Sequence, residues 1–274
     1  MANYTAADIK EIREATGAGM LDVKKALDEA DGDKAKAVEV IRVKGLKGIA
    51  KREGRTASEG LIAVDVRDTE GGQTGTLVEI NSETDFVAKN DKFVALGDEA
   101  VAAAVESGAT EPEQLAETPF GEALTNAGAS MGEKILVRRI GRVSGEAVTE
   151  YMHRTNKDLP PQVGVLVATD AAGAEVARDV AMHIAAFTPA YLNRDEVPAE
   201  LVDNERRIAQ ETAENEGKPE KAIPKIVEGR LNGFYKENVL LDQAFAKDPK
   251  KSVGQVVEEA GGTVTGFVRF RVGN

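Results

Sequence analysis

The sequence predicts an α+β protein with antiparallel sheets, and three features support that fold class. An order of strand, strand and helix occurs twice, at residues 61–105 and 151–187, which indicates a weak internal duplication into two subdomains. The N-terminal residues show only helical spacing of apolar side chains. A charged stretch at 197–238 carries the narrow apolar stripe of two paired helices.

The N-terminal residues predict a bundle of three short helices. Residues 5–8 form a capped helix start, and the glycines of 17–19 end that first helix. The second helix spans 21–30, and a third follows it. The segment 45–60 is rich in Gly, Lys and Arg and predicts a linker. We therefore assign residues 1–54 to an N-terminal helical domain with its linker.

The first half of the core begins with a predicted hairpin. Strands at 61–67 and 76–82 flank the turn Gly71-Gly72. The loop 84–90 follows and presents Phe86 at a corner between a strand and a helix. An aromatic side chain at such a corner is either buried in the core or exposed as a probe for a partner, and the local pattern leaves both possibilities open.

The remaining core elements alternate between helix and strand. They are helix 120–130, strand 135–143, strand 146–153, strand 163–169 and helix 175–187. Ser144-Gly145 predicts a tight turn that pairs the first two of these strands as a hairpin. We assign 55–143 to the first core subdomain and 144–274 to the second.

The stretch 197–238 predicts a helical hairpin that projects from the second subdomain. Two charged helices with narrow apolar seams are joined at Gly217-Lys218-Pro219, as in an antiparallel coiled coil. Pro224 predicts that the second helix starts late or kinks. A helix at 252–260 and an alternating strand at 263–272 then return the chain to a sheet.

The composition limits the possible functions. The formal net charge of −12 argues against general nucleic-acid binding, which requires a cationic surface. The absence of cysteine fits a reducing cytoplasm, and neither a membrane span nor a signal-peptide core is predicted. The two histidines, His153 and His183, are far apart in the sequence, so we expect no metal site.

One segment departs from the acidic average. Between residues 34 and 55 the basic side chains are Lys34, Lys36, Arg42, Lys44, Lys47, Lys51, Arg52 and Arg55. They form either a cationic arm for RNA or an acidic partner, or a solvated helix end with a polar linker. No aromatic residue stands among them to stack on bases, so we favour the second interpretation.

Two short motifs resemble a nucleotide-binding loop and a hydrolase active site, but the elements around them do not match those sites. The glycines at 17–19 follow a helix and lack the third glycine of a dinucleotide fingerprint, and no GxxxxGK[ST] pattern occurs. We therefore expect no directly bound nucleotide and no cofactor. Residues 128–132 match the GxSxG pattern of hydrolases, but a helix and not a strand precedes Ser130.

Three segments together carry a resemblance to a known family. They are residues 16–27, 84–90 and 264–270. In this order and spacing they resemble the bacterial elongation factor Ts family, over about residues 5–272. The resemblance implies a guanine nucleotide exchange factor that binds elongation factor Tu without covalent chemistry. It also implies that the N-terminal helices form a ubiquitin-associated-type domain and that the charged hairpin is an inserted coiled coil.

The resemblance also assigns site residues by position. The segment that displaces magnesium in the partner corresponds to Thr84, Asp85, Phe86 and Val87, with Phe86 as the wedge. Further partner contacts correspond to Arg13, Met20, Leu21, Lys24, Met131, Gly132 and His153. Without the resemblance, Met20 and Leu21 predict a buried pair, and His153 a histidine with only a structural role.

Other possibilities stay open. One is a ubiquitin-associated-type binding module with a passive core, which would bind a partner without accelerating nucleotide release. Two complexes with the GTPase can also pair, two plus two, through the core or the hairpin. Some family members continue past the last strand with a helical module that contacts the GTPase. Because this sequence ends at Gly273-Asn274, we expect that contact to be absent or replaced.

Overall fold

The N-terminal helices pack around a core of their own. The computed structural model describes residues 3–16 and 18–273, with only the backbone given at 46–51. The helices are α1 (Ala6–Thr16), α2 (Met20–Glu29) and α3 (Lys34–Arg52). All three contribute buried side chains, including Ile12, Val23, Ala26, Leu27, Ala37 and Ile41. Gly17, in the predicted break between α1 and α2, lies outside the described residues.

The third helix is longer than predicted, because Gly45 is a packing position and not a helix end. α3 continues to Arg52, so the predicted linker 45–60 is helical up to that residue. A Cβ atom at Gly45 would lie 2.5 Å from the carbonyl oxygen of Ala129. Glycine therefore permits a close approach of α3 to the core. The Arg52 guanidinium adds hydrogen bonds to the carbonyls of Gly45 (3.0 Å) and Gly128 (3.3 Å).

The first half of the core is an antiparallel sheet covered by helices. Its elements are β1 (Glu59–Thr69), β2 (Gly72–Ser82), α4 (Asp85–Ala88), α5 (Asp91–Ser107), α6 (Pro112–Ala116), α7 (Pro119–Met131) and β3 (Leu136–Gly145). The predicted β1–β2 hairpin is confirmed, with Thr69 opposite Gly72, and the strand order is β1-β2-β3. Phe93 and Leu96 of α5 pack against Leu61 and Ile80 on the outer face of the sheet.

The second half follows the same plan with an insertion. Its elements are β4 (Ala147–His153), β5 (Val163–Thr169), α8 (Ala174–Phe187), α9 (Ala199–Asn215), α10 (Ile223–Asn238), β6 (Ala244–Phe245), β7 (Asp248–Ser252), α11 (Val253–Glu259) and β8 (Val264–Arg271). The sheet is antiparallel with the order β4-β5-β8. Val180 and Ile184 of α8 and Val257 of α11 pack against its outer face.

The predicted hairpin between strands 135–143 and 146–153 is wrong. β3 pairs with β2, where Ser144 lies opposite Thr74, and β4 pairs with β5, where Ala147 lies opposite Thr169. The chain therefore passes from one sheet to the other at Gly145. Each strand buries an apolar face on a distant partner, and an isolated two-stranded hairpin is marginally stable in comparison.

The two sheets pack face to face. Alternate residues of each strand point either toward the helices or toward the opposite sheet. The side chains between the sheets are Ile62, Leu77, Val148, Leu166 and Ala168, with partly buried neighbours. Close packing requires glycine at Gly164, where a Cβ atom would lie 2.6 Å from Ile62 Cγ2. The α+β prediction with antiparallel sheets is therefore confirmed, as a sandwich with helices on its outer faces.

The inserted α9 and α10 form an antiparallel helical hairpin. Gly217 has a φ of 66°, which allows the tight end of α9, and Pro224 lies in the first turn of α10. Only Ala209 and Ala213 of the two helices are buried. At the base of the hairpin, Arg194 forms a bidentate ion pair with Asp242, with Nη2 to Oδ1 at 2.6 Å.

One end of the sandwich collects the segments that the sequence marks as functional. The Ile62 amide donates to the Pro161 carbonyl at 2.9 Å, and the Gly273 amide donates to Glu79 Oε1 at 3.0 Å. These contacts place the start of β1, the end of β2, the end of β4 and the start of β5 at the same end. The Phe86 segment and His153 both lie there.

Candidate functional site

Phe86 lies on a one-turn helix that leaves its side chain exposed. Thr84 is the N-cap of α4, and its hydroxyl oxygen accepts from the Val87 amide at 3.4 Å. Ala88 is buried, and Val87 packs partly against the core below the sheet. Phe86, between these anchors, is 73% exposed. The structure therefore favours the exposed probe over the buried aromatic among the two possibilities for this corner.

Lys89 covers part of the exposed ring. Its ammonium lies 4.4 Å from the centroid of the Phe86 ring and 3.4 Å from Asp85 Oδ2. The contact with the ring is a cation–π interaction, and the contact with Asp85 is an exposed i,i+4 ion pair. Lys89 therefore orients both predicted side chains while leaving the outer edge of the ring in solvent.

The corner before α4 is attached to the turn after α7. Glu133 Oε2 accepts the backbone amides of Glu83 (3.0 Å) and Thr84 (3.1 Å), and Oε1 accepts the Thr84 hydroxyl at 2.6 Å. In the opposite direction, Glu83 Oε1 accepts the Lys134 amide at 2.6 Å. Arg55 Nη1 lies 3.2 Å from Glu83 Oε2. Sequence reasoning missed these carboxylates, since the contact between Glu133 and Thr84 joins positions 49 residues apart and leaves no local pattern.

Met131 and Gly132 stand directly before this attachment. Gly132 has a φ of 74° and ends α7 in the left-handed conformation. Met131 is half-buried against the core under the first sheet. Both residues line a cavity of about 260 Å³ together with Ala18 and Gly19, which immediately precede α2. The structure thus brings the predicted contacts at 131–132 next to both the Phe86 corner and the start of α2.

The predicted contacts of the N-terminal bundle are exposed. Met20 is 58% and Leu21 is 72% exposed at the start of α2. The alternative of a buried pair is therefore wrong, because Val23 and Leu27 of α2 fill the bundle core instead. Arg13 and Lys24 are also exposed, and neither makes an ion pair with another described residue.

His153 lies at the end of the edge strand β4 and is exposed. Its Nδ1 is 3.2 Å from the Tyr151 hydroxyl on the same strand. In the described part of the chain it makes no hydrogen bond to α4, to α2 or to residues 131–132. The structure places His153 at the same end of the sandwich as Phe86 but shows no contact between them.

The basic segment of 34–55 is largely paired with carboxylates. Its ion pairs are Lys34 with Asp8 and Glu11, Lys36 with Asp33, Arg42 with Glu122, Lys44 with Glu29, and Arg55 with Glu83. The side chains of Lys47 and Lys51 lie outside the description. Paired cations at a helix surface agree with the solvated-helix interpretation of this segment better than with an arm for RNA.

The position of the GxSxG motif at residues 128–132 argues against a hydrolase. Ser130 lies inside α7, and its hydroxyl donates to the Ala127 carbonyl at 3.1 Å. A nucleophile elbow needs a strand before the serine, and α7 occupies that place. Among the described residues, no cluster of three or more acidic or histidine side chains could hold a metal ion. Within the same residues, no helix is long and apolar enough to cross a membrane.

Comparisons with known proteins cover the whole chain. A family model described as elongation factor TS matches residues 83–274. A protein of Beutenbergia cavernae named elongation factor Ts is 65% identical over 280 residues, covering 100% of both chains. Proteins of that name from Micrococcus luteus and Kineococcus radiotolerans are 62% and 55% identical, again over 100% of both chains. The similarity to these relatives therefore includes the N-terminal bundle, which precedes the match to the family model.

Proposed function

The chain belongs to the elongation factor Ts family, and on this premise we propose that it is a guanine nucleotide exchange factor for elongation factor Tu. The observation that carries the proposal is Phe86, which is 73% exposed on a helix anchored at both ends. A large apolar side chain exposed on an anchored helix can be buried by a partner, and such burial is worth roughly 1.5–3 kcal/mol. The function therefore rests on a protein contact and needs no covalent step.

The exchange mechanism follows from differential binding. A factor that binds the GTPase best when magnesium and GDP are poorly held must weaken GDP binding reciprocally. GTP then refills the emptied site. We propose that Phe86 enters the GTPase near its magnesium site, with Thr84, Asp85 and Val87 shaping the segment that carries it.

Three further surfaces support docking. Met20 and Leu21 offer exposed apolar contacts, and Arg13 and Lys24 offer cations on the same bundle. Met131 and Gly132 lie beside the Phe86 corner. We assign all of these, with His153 at the same end of the sandwich, to the interface with elongation factor Tu. Contacts spread over both the bundle and the core allow binding and nucleotide release to be separated by mutation.

The family premise also extends to the architecture. We propose that α1–α3 form a ubiquitin-associated-type docking domain within 1–54, that the core divides into 55–143 and 144–274, and that the α9–α10 hairpin is a coiled coil. We place the protein in the cytoplasm, where translation elongation takes place. Pairing of two complexes through the core or the hairpin belongs to the same proposal.

The test is release of a fluorescent GDP analogue from elongation factor Tu with and without this protein. We expect release to accelerate with increasing concentration of the protein until the GTPase is saturated. Binding without acceleration would support the alternative of a passive binding module. Chelation of magnesium supplies a second arm, because a factor that acts on the magnesium site should give a smaller acceleration once magnesium is gone.

A further inference from the structure

The helix that carries Phe86 cannot hold its own position. α4 has four residues, and an isolated helix of one turn is unstable in water because nucleation is unfavourable. Its far end is fixed by the buried Ala88 and by backbone bonds of Lys89 to Asp85 (3.1 Å) and Asn90 to Val87 (2.9 Å). Its near end depends on the N-cap Thr84.

Glu133 determines how Thr84 acts as a cap. A threonine hydroxyl has one proton to donate and two lone pairs. The proton is directed to Glu133 Oε1 at 2.6 Å, which leaves a lone pair free to accept the Val87 amide. Glu133 Oε2 also fixes the backbone amides of Glu83 and Thr84. One carboxylate thus sets both the backbone and the side-chain orientation at the start of α4.

Glu83 supplies a matched comparison in the same corner. Its carboxylate accepts the Lys134 amide and pairs with Arg55, but it makes no hydrogen bond to Thr84 or to α4. Within the described residues, Glu133 makes no ion pair, and its carboxylate oxygens instead accept three hydrogen bonds from the corner. Both carboxylates join the same two segments, and only Glu133 reaches the cap.

We propose that Glu133 is a positioning residue for nucleotide exchange, which holds the α4 helix so that Phe86 is presented to the GTPase in one orientation. The inference rests on the exchange function proposed above. Glu133 follows Met131 and Gly132 directly, so it also couples that contact region to the Phe86 segment. A preorganised segment loses less conformational freedom on binding than a mobile one, and the benefit appears in the exchange step.

The test is a double-mutant cycle with Phe86. Glu133→Ala should slow the maximal rate of fluorescent GDP release from elongation factor Tu by about tenfold in the wild-type background. In the Phe86→Ala background the same change should alter the rate by less than about twofold, because residues that act through one another are not additive. Glu133→Gln should lie between, since its amide oxygen can accept the backbone amides but its nitrogen cannot accept the Thr84 proton.

A second readout does not depend on the GTPase. In the free protein, the amides of Val87 and Ala88, which donate to the hydroxyl and carbonyl oxygens of Thr84, should exchange with deuterium faster in Glu133→Ala than in wild type. Glu83→Gln, whose oxygen can still accept the Lys134 amide, should leave both the exchange protection of these amides and GDP release near wild-type levels. If Glu133→Ala is unfolded by circular dichroism, Glu133→Gln carries both measurements.

Each outcome is decisive. Equal slowing in both backgrounds, or no slowing in either, overturns the positioning role. A normal GDP release rate for Phe86→Ala alone would instead count against the proposed function. In that case the amide exchange at Val87 and Ala88 still tests Glu133, and unchanged protection in its variants overturns the inference.

Discussion

The two halves of the core share a plan and differ at one corner. In each half a central strand pairs with the strand before it and with a third strand that returns after a helix: β2 with β1 and β3, and β5 with β4 and β8. A helix packs on the outer face of each sheet. After β2 the chain forms α4 and exposes Phe86, whereas after β5 it turns directly into α8 through Asp170 and Gly173.

Both corners are held by a carboxylate that accepts backbone amides. In the second half, Asp170 Oδ1 accepts the amides of Gly173 (2.8 Å) and Thr263 (3.0 Å). The hydrogen bond from the Thr263 amide, and after it the one from the Gly173 amide, hold the pKa of Asp170 below its ordinary value. The means of support is therefore common to the two halves. The difference is that the first corner carries a short helix with an exposed aromatic side chain, Phe86, and the second corner does not.

The largest expected effect is on GDP release, and it should differ between alanine variants of two exposed phenylalanines, one from each half. Phe86→Ala should slow assisted GDP release by about ten- to a hundredfold, because burying a phenylalanine is worth roughly 1.5–3 kcal/mol and about 1.4 kcal/mol is tenfold. Its melting temperature should change little, since the side chain is 73% exposed. Exchange rate and melting temperature are measured on the same variant.

Phe187 is the matched control. It is 51% exposed at the end of α8, and its ring stacks on His183 with centroids 4.6 Å apart. Phe187→Ala should lower stability by roughly 1 kcal/mol through the lost stacking and leave exchange unchanged. A Phe86→Ala protein that is strongly destabilised, or stable with normal exchange, would contradict the wedge.

The next effect concerns the N-terminal bundle. A protein starting at Arg55 should keep a folded core by circular dichroism, but the concentration needed for half-maximal exchange should rise about tenfold or more. The expected loss comes from the exposed Met20 and Leu21, and each buried apolar contact is worth roughly 1.5–3 kcal/mol.

A point variant sharpens the same prediction. Leu21→Ala should raise the half-maximal concentration, whereas Val43→Ala, at an exposed apolar position of α3, should not. Exchange by the truncated protein at the full-length level would show that Arg13, Met20, Leu21 and Lys24 are not contacts.

Elements with a strong local pattern were predictable from the sequence. Apolar periodicity and turn residues predict the β1–β2 hairpin, which the structure contains. The same signals predict a helix at 120–130 and a last strand at 263–272, which occur near those bounds as α7 and β8. The exposed apolar pair Met20 and Leu21 needed the family resemblance, because periodicity alone allowed a buried pair.

The failures concern contacts between distant residues. Ser144-Gly145 fits a tight turn as well as a crossing between sheets, and the choice depends on β2 and β5, which lie elsewhere in the chain. Gly45 has the appearance of a helix end until Ala129 is placed against it. Glu133 carries no local signal at all. Such choices are made by tertiary packing, which overrides local propensity.

A smaller effect is the pH dependence of stability that a buried histidine gives to the second half. The second half contains a buried His183, whose Nε2 bonds Gln243 Oε1 at 2.8 Å and whose Nδ1 accepts the Ala246 amide at 3.2 Å. Burial lowers the pKa of this imidazole below its ordinary value. The native state therefore holds it neutral, while the unfolded state gains a proton below about pH 6.5. Stability should fall as pH drops through that range, by up to about 1.4 kcal/mol per pH unit for one group.

A variant of His183 tests this prediction. In urea unfolding between pH 7 and 5, His183→Gln should reduce the pH dependence of the free energy of unfolding, although its stability at pH 7 will also be lower. Equal slopes for wild type and His183→Gln would mean that His183 contributes nothing to the acid sensitivity of the second half.

The smallest effect is expected for the insertion that sets the second half apart. Replacing residues 198–233 by a short loop should change exchange by less than about twofold. Within the described residues, no buried core cluster includes a side chain of 199–238. The base would keep its own bonds, because the amides of Ala190 and Tyr191 donate to the Asn238 carbonyl and the Leu240 amide donates to the Tyr191 carbonyl.

The hairpin deletion also tests whether the second half of the core folds without the inserted helices. Ala209 and Ala213, the buried residues of α9, have no apolar cluster of the core around them, so removing both helices leaves no cavity in either sheet. Arg194 loses Asn232 but keeps Asp242, and that exposed pair is worth little. Melting temperature and GDP release are measured together. Collapse of the core would make the hairpin part of the fold, and a tenfold loss of exchange with an intact core would make it a further contact with the GTPase.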